Sequence, residues 1–391
     1  MSAGVPARRL LVRLPNWVGD VVMATPALRA LRAGFPAPGW EIVLHGKASL
    51  LSLLEGAPWF DRALPLETPA GGAFARLLGP LRAGRRLRAE GFDVAVLFPN
   101  SWSSAVAAWL ARIPRRIGYE RDRRSLILTD AVYLTSGGRL RPVAMVRYYL
   151  ELCRRLGCPM DPAGARLELP ASEEALGRAD AYLRARGVAA GEPVLALSPG
   201  SAYGTAKMWE PEHFAAVAAH FAAKGLHVGI YGGPADRDVV SRIGALARAR
   251  IPGDAPAPFE ATDVPLRDLC AHMKRARALV SNDSGGRHFG VAAGIPVVVV
   301  MGSTHPAYTE VDYDRYCVLL ERVECWPCHL RECPIDRRCM TRLKPERAIA
   351  AVEAYLAGRR PFEGARPWME GLAVLDPGAA AAKGFTAPAR A

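Results

Sequence analysis

No apolar run in this 391-residue chain approaches the eighteen or so residues needed to cross a bilayer. The longest, Ile295 to Met301, has the length of a strand. The apolar stretch after Arg8 and Arg9 ends within a few residues, so the start of the chain does not read as a secretory signal. A cytoplasmic protein is therefore expected. Two nucleotide-binding signatures are also missing. No GxGxxG fingerprint occurs, which argues against a Rossmann dehydrogenase, and no glycine loop ends in the GKS or GKT of a Walker A motif. Lysine is scarce as well, supplying only 6 of 51 basic residues.

What is present points to globular domains. Half the residues are hydrophobic and 23% are charged, which excludes wholesale disorder, and the 37 glycines and 32 prolines have no collagen period. The length suits two or three domains, each able to bury a core. The net charge of +13 is unevenly spread. Residues 1–150 hold 21 Lys+Arg against 10 Asp+Glu, a balance of +11, whereas 151–391 hold 30 against 28. An arginine-rich composition accounts for arginine over lysine but not for this asymmetry, so an anionic partner of the first half is expected. Nucleic acid is not the expected partner, because the basic stretches lack interleaved stacking aromatics.

Along the chain strands alternate with helices, the pattern of parallel sheets covered on both faces. In the first half strands are expected at Arg9–Leu14, Glu41–His45, Val94–Phe98 and Ile113–Gly118. Helices are expected from Asp20 to about Gly34, at Phe74–Glu90, Ser101–Ala111 and Val143–Leu156. Cys158 to about Pro193, with a polar helix at Ser172–Arg186, reads as a connection. A second series follows, with strands at Val194–Ser198, His227–Tyr231, Ala278–Ser281 and Val297–Met301. The final helix is expected at Pro345–Arg359, opening on proline. The economical architecture is α/β, with two Rossmann-like domains facing each other across a cleft. The expected domains are 1–160 and 161–360, followed by a loose tail at 361–391.

Four segments could carry chemistry. In Arg13-Leu14-Pro15-Asn16-Trp17-Val18-Gly19-Asp20, Asp20 reads first as a helix N-cap, although the placement also suits a carboxylate facing a ligand. In the loop Ser198 to Trp209, small residues around Lys207 suit a phosphate site, with amides cradling the anion and lysine as a point charge. An ordinary loop with a solvated lysine fits equally. At Asn282-Asp283-Ser284-Gly285-Gly286-Arg287-His288 a helix begins with free amides, which favours an anion there. Cys325, Cys328, Cys333 and Cys339 lie within one short stretch, spaced compatibly with a structural zinc site or with reduced thiols in a loop. Cys153, Cys158, Cys270 and Cys317 read as buried small hydrophobes.

Together, NWVGDVVMATPALRALRAGFP, VLFPNSWSSAVAAWLARIPRRIGY, SPGSAYGTAKMW and VSNDSGGRHFGVAAGIPVVVVMGSTHP resemble glycosyltransferase family 9, over about residues 8–357. Their order and spacing are most similar to its ADP-heptose:lipopolysaccharide heptosyltransferase II branch. CWPCHLRECPIDRRCM resembles a cysteine-bearing insertion found in part of that branch. The resemblance implies a GT-B fold with an acceptor domain followed by a nucleotide-sugar domain. It implies inverting transfer of heptose from ADP-heptose to a phosphorylated heptosyl-Kdo-lipid A core, with no metal required and with peripheral contact at the inner-membrane leaflet. Asp20 becomes the general base. Lys207, Ser201, Thr205, Asp283, Ser284, Gly285, Gly286 and His288 become donor contacts. Asp236 is the nearest match to the family's acidic donor contact, and Gly286-Arg287 departs from its usual apolar pair. Acceptor contacts are expected from Asn16, Trp17, Asn100 and Arg121. The nearest alternative is another family 9 enzyme, such as heptosyltransferase I or one using a different donor sugar.

Overall fold

The computed structural model describes residues 7–67, 73–133, 135–136, 139–140, 144–160, 165–309, 311 and 313–361. All but the first residue of the expected tail lies outside them. The chain forms two compact units that divide between Arg166 and Leu167, rather than at residue 160.

Unit 1 is built on a six-stranded sheet of β1 (Arg8–Arg13), β2 (Trp40–Gly46), β3 (Arg62–Pro65), β4 (Val94–Leu97), β5 (Arg115–Tyr119) and β6 (Asp130–Val132). The order is β3-β2-β1-β4-β5-β6, and every neighbouring pair is parallel. The helices are α1 (Val18–Met23), α2 (Thr25–Gly34), α3 (Ala48–Leu51), α4 (Ala73–Glu90), α5 (Trp102–Leu110) and α6 (Met145–Arg155), and a small hairpin pairs β7 (Thr135–Ser136) with β8 (Arg139–Leu140). Leu11, Val43 and Leu97 of the sheet pack with Ala105 and Ala108 of α5 in one core cluster. The single helix expected up to Gly34 is two. Pro26 has no N–H to give the carbonyl of Val22, and the Thr25 hydroxyl donates to that carbonyl instead at 2.8 Å. Ser101 caps α5 by accepting from the Ser104 amide.

Unit 2 repeats the topology. Its strands are β9 (Val194–Ser198), β10 (His227–Tyr231), β11 (Phe259–Ala261), β12 (Ala276–Asn282), β13 (Val297–Met301) and β14 (Tyr316–Leu320), in the order β11-β10-β9-β12-β13-β14. Around them lie α7 (Glu173–Arg184), α8 (Pro211–Ala223), α9 (Arg237–Arg248), α10 (Leu269–Arg275), α11 (Gly285–Ala293), α12 (Arg338–Thr341) and α13 (Pro345–Leu356). The core gathers Phe214 and Phe221 of α8, Val280, Val298 and Val300 of the sheet, and Trp209. Each of these phenylalanines contributes roughly 2–3 kcal/mol by leaving water. The helix read as part of a connection, α7, belongs to this unit: Ala175 and Ala179 pack on Ala271 of α10. Within the two six-stranded sheets the sequence pattern missed β3, β6, β11 and β14, which are the two edges of each sheet.

Candidate active site

In a doubly wound sheet ligands bind beyond the strand C-termini, where the strand order reverses. In unit 1 that point lies between β1 and β4, and in unit 2 between β9 and β12. Each predicted site segment except the cysteine stretch, which follows β14, leaves the C-terminal end of one of these four strands or of a neighbour.

After β1 the chain runs through Asn16 and Trp17, both exposed, into α1. The N-cap of α1 is Trp17, in extended conformation with no side-chain cap bond. Asp20 is thus the third helical residue, half-buried in the first turn, and the N-cap reading is corrected. Its charge reaches α6: burial pushes the Tyr148 phenol up to about 12, with Asp20 adding to the rise and Arg124 and Arg121 opposing it. Tyr148 is therefore a fixed donor, and its hydroxyl donates to Asn100 Oδ1 at 2.7 Å. The same oxygen accepts from Arg124, which is wholly buried, at 3.1 Å. Arg13, at the end of β1, donates to Asn16 Oδ1 at 2.9 Å. Arg121 stays exposed beside this network. A cavity of about 510 Å³ adjoins it, lined among others by Arg13, His45, Arg82, Arg86, Leu97 and Ser104. The structure thus brings Asn16, Trp17, Asp20, Asn100 and Arg121 to one sheet edge. Arg13, Arg124 and Tyr148 were given no role there: Arg13 adjoins the Asn16 loop in sequence, whereas Arg124 lies 24 positions from Asn100 and carries no such signal.

In unit 2 two distant motifs meet. Lys207 Nζ lies 2.6 Å from Asp283 Oδ2, the Thr304 hydroxyl donates to the same oxygen at 2.5 Å, and Arg287 lies 2.8 Å from Oδ1. All three charged groups are buried, Arg287 most deeply. Burial would raise the Asp283 pKa, but Arg287 and Lys207 outweigh it and hold the carboxyl well below its ordinary range. Two cations against one carboxylate leave a buried net charge of +1. Burial, then the Arg287 charge, push His288 far below the usual imidazole range, so it is neutral. Its Nδ1 has no hydrogen-bond partner among the described residues.

Backbone packing explains the glycines. A Cβ at Gly286 would lie 2.2 Å from the Ser198 hydroxyl, so only glycine lets the first turn of α11 sit against the end of β9. Ser284 is the α11 N-cap, and Gly285 opens the helix. Asn282 ties the two loops, accepting from the Trp209 amide and donating to the Pro199 carbonyl. The Ser201 hydroxyl is buried without a partner among the described residues, whereas Thr205 is exposed. Asp236 caps its own turn through the Gly233 amide at 2.8 Å, and its carboxylate packs against Gly200.

The cysteine segment lies over the Lys207 loop. Arg331 accepts from the Ala206 amide at its carbonyl, the Tyr203 hydroxyl donates to the His329 carbonyl at 2.6 Å, and Arg337 donates to the Thr205 and Met208 carbonyls. Burial pushes the Cys339 thiol up to about 11, with Cys328, Cys325 and Cys333 adding to the rise. The four nevertheless do not converge as ligands: among the described residues no group of three or more His, Cys, Asp or Glu is placed to hold a metal ion. The other four cysteines are buried, as expected.

A model of glycosyltransferase family 9 (heptosyltransferase) matches residues 81–338. Lipopolysaccharide heptosyltransferase 2 of Salmonella typhimurium strain LT2 is 28% identical over 308 residues, covering 77% of this chain and 84% of that one. Among solved structures, that of E. coli ADP-heptose lps heptosyltransferase II superposes with a TM-score of 0.73 at 23% identity, covering 90% of this chain and 99% of that one. The family 9 glycosyl transferase of Veillonella parvula DSM 2008 gives 0.75 at 23% identity, covering 90% and 97%. Two doubly wound units of this kind, like those of the solved family 9 structures, define the GT-B fold. The chain belongs to glycosyltransferase family 9, the heptosyltransferases, and is similar to heptosyltransferase 2.

Proposed function

We propose that the protein transfers L-glycero-D-manno-heptose from ADP-heptose to a heptosyl-Kdo-lipid A acceptor, inverting the anomeric centre without a catalytic metal. The observation that carries this is the buried +1 cluster of Lys207, Arg287 and Asp283 beside the start of α11. A fixed cation and helix amides match a pyrophosphate and can take the charge that a divalent ion would otherwise neutralise. Support for donor and acceptor comes from the names of the relatives, which specify lipopolysaccharide and ADP-heptose.

In this reading unit 2 holds the donor, with Lys207 opposite the pyrophosphate and the α11 amides on its oxygens. The acceptor hydroxyl oxygen attacks the anomeric carbon as the bond to ADP breaks. Its proton passes late to Asp20, while charge leaves with ADP. Asp20 lies in the first turn of α1, where the free amides face its negative charge. Unit 1 takes the anionic acceptor, in keeping with its positive balance. That balance also supports peripheral contact with an anionic cytoplasmic leaflet, and among the described residues no helix is long and apolar enough to cross a membrane.

The test is ADP release by the purified protein with ADP-heptose and heptosyl-Kdo2-lipid A in EDTA, with product mass recorded. Acceptor-dependent release with one added heptose is expected. ADP binding without release would move the proposal to another donor or acceptor, and loss of activity in EDTA restored by a divalent ion would overturn the metal-independent step.

A further inference from the structure

Two arginines in unit 1 are buried in an unusual setting. Arg124 has no exposed surface and Arg13 is 8% exposed. A buried charge is normally paired, because desolvation is costly. Neither makes an ion pair among the described residues. Arg124 gives its hydrogen bonds to the carbonyls of Tyr119, Pro99 and Ser101 and to Asn100 Oδ1. Glu120 and Asp122 act on it only at longer range. Arg13 gives its own to the carbonyls of Leu14 and His45 and to Asn16 Oδ1. A guanidinium stays protonated, so both positive charges remain beneath the sheet edge.

The two arginines do the same thing to two asparagines. A guanidinium only donates, so the asparagine atom facing it must be the carbonyl oxygen. For Asn100 the Tyr148 hydroxyl occupies the same oxygen from α6. Each carboxamide is thereby fixed with its NH2 on the far side. Asn16 is exposed and Asn100 half-buried, and neither Nδ2 hydrogen-bonds another described residue. We propose that Arg13 and Arg124 are positioning residues that turn Asn16 and Asn100 outward as paired N–H donors for a carboxylate- or phosphate-bearing sugar of the acceptor. The unpaired charges behind them polarise both amides and supply the attraction that such a ligand completes. This rests on the reading of unit 1 as the acceptor unit.

Asn100→Asp separates positioning from structure. The new carboxylate keeps its oxygen for Arg124 and Tyr148 and gains an ion pair, so the melting temperature should hold or rise. It loses the N–H donor and turns negative toward an anionic ligand. The acceptor KM should rise about 10- to 100-fold, the loss of a charge-assisted hydrogen bond, with ADP affinity unchanged. Arg124→Lys should raise it less than Arg124→Gln. An Asn100→Asp enzyme with wild-type acceptor KM overturns the proposal. Binding of both proteins to phosphatidylcholine vesicles carrying heptosyl-Kdo2-lipid A is read in parallel. If the wild type transfers no heptose, the functional reading fails. The binding comparison then decides alone: weaker binding by Asn100→Asp supports the proposal, and equal binding, or none by the wild type, overturns it.

Discussion

At the residue scale the division of labour rests on two carboxylates in opposite circumstances. Asp283 is enclosed and spent: two cations and a hydroxyl take both of its oxygens, so it organises charge rather than moving protons. Asp20 is half-buried in the first turn of α1. Asp20→Asn should therefore lower kcat by about 10²–10⁴-fold, the usual worth of a general base. ADP affinity measured by calorimetry should not move, and an Asp20→Asn enzyme turning over at the wild-type rate would remove the base assignment. Lys207→Met should act differently, weakening ADP binding and lowering kcat together by about 10²–10³-fold. Both residues were legible because each stands in a short polar interruption after an apolar strand. Their pairings were not. Lys207 and Asp283 are 76 positions apart. Arg124 lies among other arginines in a segment that reads as a basic surface, and burial cannot be read from such a run.

At the element scale the sequence pattern showed the middle of each sheet and missed its margins. Central strands such as β4, β9 and β13 are buried on both faces and read as near-continuous apolar runs. Edge strands such as Arg62–Pro65 and Phe259–Ala261 carry mixed residues, since one side meets no neighbour, and their short length leaves no period to detect. The helix break at Ala24 was hidden for a different reason: proline is compatible with a first turn, so Pro26 alone does not say whether a helix continues or restarts. The Gly286 contact yields a prediction that belongs to this scale. Gly286→Ala drives a methyl group into the Ser198 hydroxyl and must either turn that hydroxyl away or part α11 from β9. Overpacking of this kind costs about 1–3 kcal/mol, seen as a lowered melting temperature and weaker ADP binding. Adding Ser198→Ala removes the oxygen and should recover much of the loss. A single Gly286→Ala variant as stable as wild type would show that the helix start is not held by this contact.

At the scale of the whole molecule charge and protonation act on the units separately. With +11 in residues 1–150, the rate of capture of an anionic acceptor should fall as salt rises, so kcat/KM for the acceptor should decline several-fold between low and physiological ionic strength. An acceptor kcat/KM independent of salt would remove electrostatic steering from the account. Acid has a second route into both units. His45 in β2 and His272 in α10 are each buried, and burial pushes each down to about 4. In the unfolded chain such a group titrates near 6.5. The unfolded state therefore takes up protons first as pH falls. Stability is full above about 6.5, declines between there and 4, and loses up to about 3 kcal/mol per histidine. The Asp283 carboxylate does not contribute in that window, although buried His288 beside it, pushed far below the usual imidazole range, adds to the same decline. The depressed folded pKa of Asp283 keeps its stabilisation intact down to the ordinary carboxylate value of 3.8, below which it too is lost. Melting temperature followed from pH 7 to 4 should thus fall well before the carboxylates titrate. His45→Gln should flatten the slope for unit 1 and His272→Gln for unit 2. A His45→Gln, His272→Gln double variant that kept the full wild-type slope would assign the acid sensitivity to other groups.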